Sequence, residues 1–334
     1  MKCLKMLVNT VIAGVLVASC SGVDENAGAS APDTQPQAAE ADSPAAKDVA
    51  TAPAFDLPSL FDCVREEGGI LIAAHRAGPA PGYPENAIET LQYALDNATN
   101  VMEIDVAESR DGVLFLMHDR TLGRTTTGSG SVADARWSEI STLKLVDNQG
   151  SVTSFSPPTL EDALKWAVAN GAILELDRKE TTSFRNIVEA VRDAGAEANV
   201  IIITYNDDEA WQVSRLAPDL MMTAGVGGRD HEADLLAGGV NPERLIAWTG
   251  TNRPNPGKWR GLASKGIESA FGTLGRPGER LDDQYWADGD PSEYSDLARD
   301  GLVLLATDEI YRLAGAGGYI GEAQARARSA CLID

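Results

Sequence analysis

Val101-Met102-Glu103-Ile104-Asp105-Val106 is the stretch on which the reading of the fold turns. Alternation of large apolar and acidic side chains at period two describes a strand with Met102 and Ile104 on one face and Glu103 and Asp105 on the other. An isolated Glu-x-Asp is ordinary on a solvated edge. In a parallel sheet, however, the apolar face packs under helices, and the acidic face is then the interior or mouth of a closed barrel. Two ionised carboxylates there repel each other unless a cation neutralises them. If the sheet closes into a barrel, the strand therefore predicts a bound cation.

Reading outward, short apolar runs alternate with amphipathic stretches. Strands are expected at 70–74, 101–106, 172–176, 200–204, 220–226, 244–248, 267–271 and 302–306. Helices are expected at about 85–97, 159–169, 183–194, 207–216, 231–237, 258–265, 292–299 and 309–314. Regular β-then-α order implies parallel strands with right-handed crossovers, and eight units favour closure into a (β/α)8 TIM barrel over an open sheet. The rhythm breaks at 113–158, a segment rich in Gly, Thr and Ser that contains one further strand-like run, 113–117. It reads as an insertion after strand 2. Loops after barrel strands build active sites, so the insertion is expected to take part in function.

The chemistry-bearing residues gather at strand ends. Of three histidines, His75 ends the first strand and is followed by Arg76, while His118-Asp119 closes the extra run in the insertion, with Arg124 just beyond. The third barrel strand reads Glu175-Leu176-Asp177-Arg178-Lys179, again with charges on alternate positions. Each piece alone has a bland structural explanation; their recurrence at successive strand ends makes the set specific. His231 has acidic helical neighbours and reads as a surface residue.

His75-Arg76, Pro84-Glu85-Asn86 opening the first helix, Glu103-x-Asp105-Val106, Asp111-Gly112, His118-Asp119 and Arg124-Thr125-Thr126 occur in the order and spacing of the glycerophosphodiester phosphodiesterase family, which the chain resembles over roughly 70–180. Ala306-Thr307-Asp308 looks like that family's closing Thr-Asp. The resemblance implies a metal-dependent phosphodiesterase that releases glycerol phosphate and an alcohol. By it, Glu103 and Asp105 are metal ligands, Arg76 contacts phosphate, and His75 and His118 form the acid and base pair. It leaves open which is which, and whether a glycerol hydroxyl attacks first through a cyclic phosphate or water attacks directly. Two departures stand out. Ala77 replaces the family's glycine after His-Arg, and Asp177 takes the place of its third carboxylate ligand, with Glu175 on the same face as the fallback.

A carboxylate site suits a hard cation, Ca²⁺ in preference to Mg²⁺ outside the cytoplasm. Arg76 and Lys179 would balance the diester's charge. A net charge of −22 repels nucleic acid and anionic lipid from most of the surface, so an anionic substrate needs this local cationic help. Related alternatives are a phospholipase of the phosphoinositide-cleaving or sphingomyelinase D type, which would need an apolar or basic rim, and a catalytically idle surface-binding lipoprotein that keeps the barrel.

Lys2 and Lys5, the apolar run 11–18 and Val17-Ala18-Ser19-Cys20 read as an export signal, 1–20, ending in a lipobox with Cys20 as the lipidation site; ordinary secretion is the alternative. The run is too short to cross a hydrocarbon core, which needs about 20 apolar residues. Residues 21–58 are Ala, Pro, Gly and acidic residues and read as a tether, leaving 59–334 as one catalytic domain. The expectation is an exported monomer, a periplasmic or outer-membrane lipoprotein that meets the membrane only through its anchor. Cys63 and Cys331, near opposite ends of the domain, either pair as a disulfide or remain two buried thiols.

Overall fold

The computed structural model describes residues 56–228, 230–314 and 320–331. The expected signal segment with Cys20 and nearly all of the expected tether lie outside the described residues.

Eight parallel strands close into a (β/α)8 barrel: β1 (Leu71–Ala74), β2 (Val101–Glu108), β4 (Ile173–Arg178), β5 (Val200–Ile203), β6 (Met221–Gly225), β7 (Leu245–Trp248), β8 (Glu268–Gly272) and β9 (Leu304–Thr307). Closure comes from β1, which pairs with both β2 and β9. Along each strand the side chains divide by parity. Ile72, Met102, Ile104, Leu174 and Ile202 join the layer beneath the helices. Their neighbours Leu71, Ala73, Val101, Ile173, Ile201, Met221 and Ile246 form a second apolar cluster that fills the barrel.

The eight expected strands all form, displaced at their ends by three residues or fewer. The register sets Glu103 beside Glu175 and Asp105 beside Asp177, so the acidic positions of β2 and β4 form two tiers at the carboxyl ends of the strands.

A helix at Leu57–Glu66 precedes the barrel, beginning two residues before the expected domain start. Its Leu57, Leu60, Phe61 and Val64 recur at helical spacing and join the barrel-filling cluster, plugging the end opposite the acidic tiers. Truncating fully buried Phe61 to Ala would cost about 3–5 kcal/mol. A disulfide joins Cys63 on this helix to Cys331 on the last helix, Gly321–Cys331, with Cα atoms 5.7 Å apart.

The insertion folds back on the barrel. Its strand β3 (Leu114–Leu116) runs antiparallel to β2, and Phe115, Met117, Leu122, Val132 and Ile140 with Ala107 make a small core of their own. Two sequence expectations require correction. The first helix after β1 starts at Ile88, not at 85, because Asn86 adopts a left-handed φ of 59° and Glu85 and Asn86 turn inward. His231 is half-buried, its Nε2 2.9 Å from Asp207 Oδ1.

Candidate active site

The carboxyl ends of the strands open into a cavity of about 340 Å³ whose lining includes His75, Glu103, Asp105, His118, Glu175, Asp177 and Lys179. Each arrives by a readable route. Period two aims Glu103 and Asp105 inward from β2, and the same parity on β4 aims Glu175 and Asp177. His75 follows β1 directly as the first residue of the single helical turn His75–Ala77, and β3 carries the chain back so that His118 faces the same space.

Glu103, Asp105 and Asp177 each offer an oxygen within 4.8 Å of the others'. All three are buried, and their surroundings are unequal. Burial, then the charges of Asp105 and Asp177, push the Glu103 carboxyl well above the ordinary range. Burial would raise Asp105 too, but Lys179, 2.5 Å away, and then His118 hold it below. Asn86 adds a reciprocal pair, its Nδ2 donating to Asp105 Oδ2 at 2.6 Å and its Oδ1 accepting from the Asp105 backbone N–H at 2.9 Å. Asp177 Oδ2 accepts from Lys179 Nζ at 2.6 Å and from the Tyr205 hydroxyl at 2.7 Å. Asp177 Oδ1 is buried with no hydrogen-bond partner. A raised carboxyl beside two others, together with a buried carboxylate oxygen of Asp177 that has no hydrogen-bond partner, is the arrangement a bound cation would relieve. An all-oxygen set suits a hard divalent ion. Glu175 stands beside Glu103 in the deeper of the two tiers, where burial alone raises its carboxyl to about 7.

Both histidines are held through Nδ1, His75 by Asp308 Oδ1 at 2.7 Å and His118 by Asp119 Oδ1 at 2.8 Å. Each aspartate is backed by an arginine: Arg280 meets Asp308 at 2.5 Å, and Arg124 meets Asp119 at 2.6 and 2.8 Å. Burial opposes ionisation of Asp308, yet His75 and Arg280 hold it below the ordinary carboxylate range. Hydrogen bonds from Arg124 do the same for Asp119. With Nδ1 engaged, Nε2 is the nitrogen each ring can offer a substrate.

Arg76 does not line the cavity. Its backbone N–H donates to Glu103 Oε2 at 2.7 Å, and its guanidinium lies 3.3 Å from Glu85 and 3.9 Å from Asp105, with Nε buried and unpartnered. Glu85 also accepts both terminal nitrogens of Arg124 at 2.8 Å, so the His118 arm runs on through Glu85 to Arg76.

Sequence reasoning missed Arg280, Asp282 and Tyr205. Asp282, with no solvent exposure, accepts from Tyr294 Oη at 2.5 Å, Thr307 Oγ1 at 2.8 Å and the Asp308 N–H at 3.0 Å, fixing the turn that carries Asp308. Arg280 and Asp282 open a short helix, Leu281–Tyr285, and Tyr205 lies on the turn after β5; none belongs to a periodic run, and their partners are remote in sequence.

A profile of the Glycerophosphoryl diester phosphodiesterase family matches residues 75–250, a little over half of the chain. A glycerophosphodiester phosphodiesterase from Caldanaerobacter subterraneus subsp. tengcongensis is 28% identical over 156 residues, covering 45% of this chain and 64% of its own. The chain thus spans a little under two thirds of the length of the curated relatives it matches first. The crystal structure of a glycerophosphoryl diester phosphodiesterase from Parabacteroides distasonis superposes with a TM-score of 0.66 at 27% identity, over 85% of this chain and 95% of that one. An Oleispira antarctica phosphodiesterase, solved with its product sn-glycerol-3-phosphate, shares the fold at a TM-score of 0.56 and 18% identity, over 78% of this chain and 98% of that one. With the profile matched across both histidines, the three carboxylates and Lys179, the chain belongs to the glycerophosphoryl diester phosphodiesterase family.

Proposed function

We propose that this protein hydrolyses glycerophosphodiesters to glycerol phosphate and an alcohol in a divalent-cation-dependent reaction. The observation that carries the proposal is the pair of aspartate-held histidines facing one cavity with the carboxylate trio. One imidazole removes a proton from the nucleophile, either water directly or a glycerol hydroxyl whose cyclic phosphate water then opens, and the other protonates the departing alcohol, a division of work suited to two imidazoles that each present a free Nε2. Glu103, Asp105 and Asp177 would hold the cation, Ca²⁺ in preference to Mg²⁺, which when bound supplies Lewis-acid stabilisation of the phosphoryl oxygens. Lys179, between Asp105 and Asp177, brings positive charge to the mouth of an otherwise acidic molecule, and Arg76, paired with Glu85, adds positive charge behind it. The product bound in the Oleispira enzyme is the half of the diester expected to be released here.

The proposal extends to an exported monomer anchored through Cys20. The Cys63–Cys331 disulfide supports an oxidising compartment.

The test is release of glycerol phosphate from glycerophosphocholine and related soluble diesters by chelator-stripped protein, before and after Ca²⁺ or Mg²⁺ is added, with His75→Ala alongside. Metal-restored turnover that vanishes in the variant is the expected result. Turnover of bilayer phospholipid alone would replace this reading with a phospholipase. Failure on both substrates by folded, metal-loaded protein would leave a binding module.

A further inference from the structure

Asp177 is one methylene shorter than the glutamate that the family pattern leads one to expect, and the structure surrounds it with a device that fits the difference. Tyr205 follows β5 on the turn into the helix Asp207–Leu216. Although 68% of the residue is exposed, its hydroxyl turns back into the cavity and donates to Asp177 Oδ2 at 2.7 Å. The turn itself is fixed. The Tyr205 N–H donates to Glu209 Oε2 at 2.8 Å, and Glu209 Oε1 pairs at 2.7 Å with Arg178, the residue next to Asp177.

A carboxylate has about four acceptor positions over two oxygens. On Asp177, Lys179 and Tyr205 take both positions of Oδ2, while Oδ1 is buried and takes none. Lysine alone would not fix this choice, because its ammonium is a flexible point charge that can follow either oxygen. A phenol hydroxyl on a rigid ring, held by its own backbone contact, does.

We propose that Tyr205 is a positioning residue for the cation site: by occupying Oδ2 it locks the Asp177 carboxylate so that Oδ1 alone faces the ion. The inference rests on the reading that Asp177, with Glu103 and Asp105, holds a divalent cation. Groups that orient metal ligands change affinity by about 10–100-fold when removed.

The experiment is calorimetric titration of Ca²⁺ into chelator-stripped wild-type, Tyr205→Phe and Glu175→Gln proteins, with thermal melts in chelator. Tyr205→Phe, which removes one oxygen and keeps the ring, is expected to weaken Ca²⁺ binding 10–100-fold with an unchanged melting temperature, while Glu175→Gln retains near-wild-type affinity. Wild-type affinity in Tyr205→Phe would overturn the inference and leave the cation reading standing, whereas loss of binding only in Glu175→Gln would overturn the inference and replace Asp177 with Glu175 in the ligand set. A weakened affinity accompanied by an equally lowered melting temperature would reduce Tyr205 to a structural role. Absence of Ca²⁺ binding by the wild type would remove both readings at once.

Discussion

The two histidines are held in matching ways on unlike foundations. His118 stands on the insertion, and its aspartate is the next residue in the chain, with Arg124 five positions beyond that aspartate. His75 stands on the barrel; its aspartate lies 233 residues away at the end of β9, and Arg280 comes from a different loop again. The first arm is assembled by local chain geometry. The second exists only when the barrel closes, since β1 and β9 must be neighbours before Asp308 can reach His75. The placement of the two histidines is thus half local and half a consequence of the global fold.

The largest expected effect tests whether both arms are needed. His75→Ala and His118→Ala should each lower kcat by about 10²–10⁴, and the double variant should fall little further than either single one, because the pair acts as a unit. Steady-state kinetics on a soluble diester checks this; losses that multiply would mean the two rings act independently.

Next in size are the supports. Asp282→Ala leaves the Tyr294 and Thr307 hydroxyls and the Asp308 N–H without their acceptor, and should cost about 3 kcal/mol or more in urea unfolding. Arg124→Ala should cost only about 1–2 kcal/mol, since its guanidinium is 44% exposed and Glu85 keeps Arg76. Equal costs would erase the contrast between a global and a local arm.

Asp308→Asn and Asp119→Asn disturb the tautomer and aim of each ring and should lower kcat about 10–100-fold, by analogy with the loss of other orienting partners, with KM little changed. They should also differ from wild type in acid. Both carboxyls are held below their ordinary range, so each contributes stability that is present above the unfolded-state value of about 4 and lost as pH falls through the lower folded value. Unfolding at pH 6 and pH 3 should therefore show a smaller acid loss in either Asn variant than in wild type.

The smallest effect concerns strain. Arg76 and Ala77, directly after His75, have φ values of 51° and 70°, whereas no non-glycine residue of the insertion has a positive φ. Ala77→Gly relieves about 1–2 kcal/mol of left-handed strain but gives up a buried methyl worth about 0.8 kcal/mol and adds freedom to the unfolded chain. A net change within about 1 kcal/mol is expected on denaturant unfolding. A loss well beyond that would show that packing of the methyl, not strain, governs the position.

This same division decides what could be read from the sequence. The barrel was legible because alternate residues of each strand face different apolar layers, and Glu103, Asp105, His75 and His118 were legible because strand ends mark the mouth. Asp308 was visible only through a family motif, and Asp282 not at all, because a buried carboxylate on a five-residue helix announces itself through partners that the fold supplies later. The plug helix is a different case. Leu57, Leu60, Phe61 and Val64 carry a plain helical pattern, but the neighbouring Ala- and Pro-rich composition drew the expected boundary just inside it. The last helix, Gly321–Cys331, offers small and charged residues in place of an apolar stripe, and Cys331 alone hinted that its end was fixed.

The bond between Cys63 and Cys331 has a topological consequence. It turns nearly the whole barrel domain into a covalent ring, with the barrel strands, the insertion and every residue of the candidate site inside it. A protease that nicks one exposed loop opens the ring without releasing a piece: the fragments stay joined, can remain docked, and separate on a gel only after a reducing agent is added.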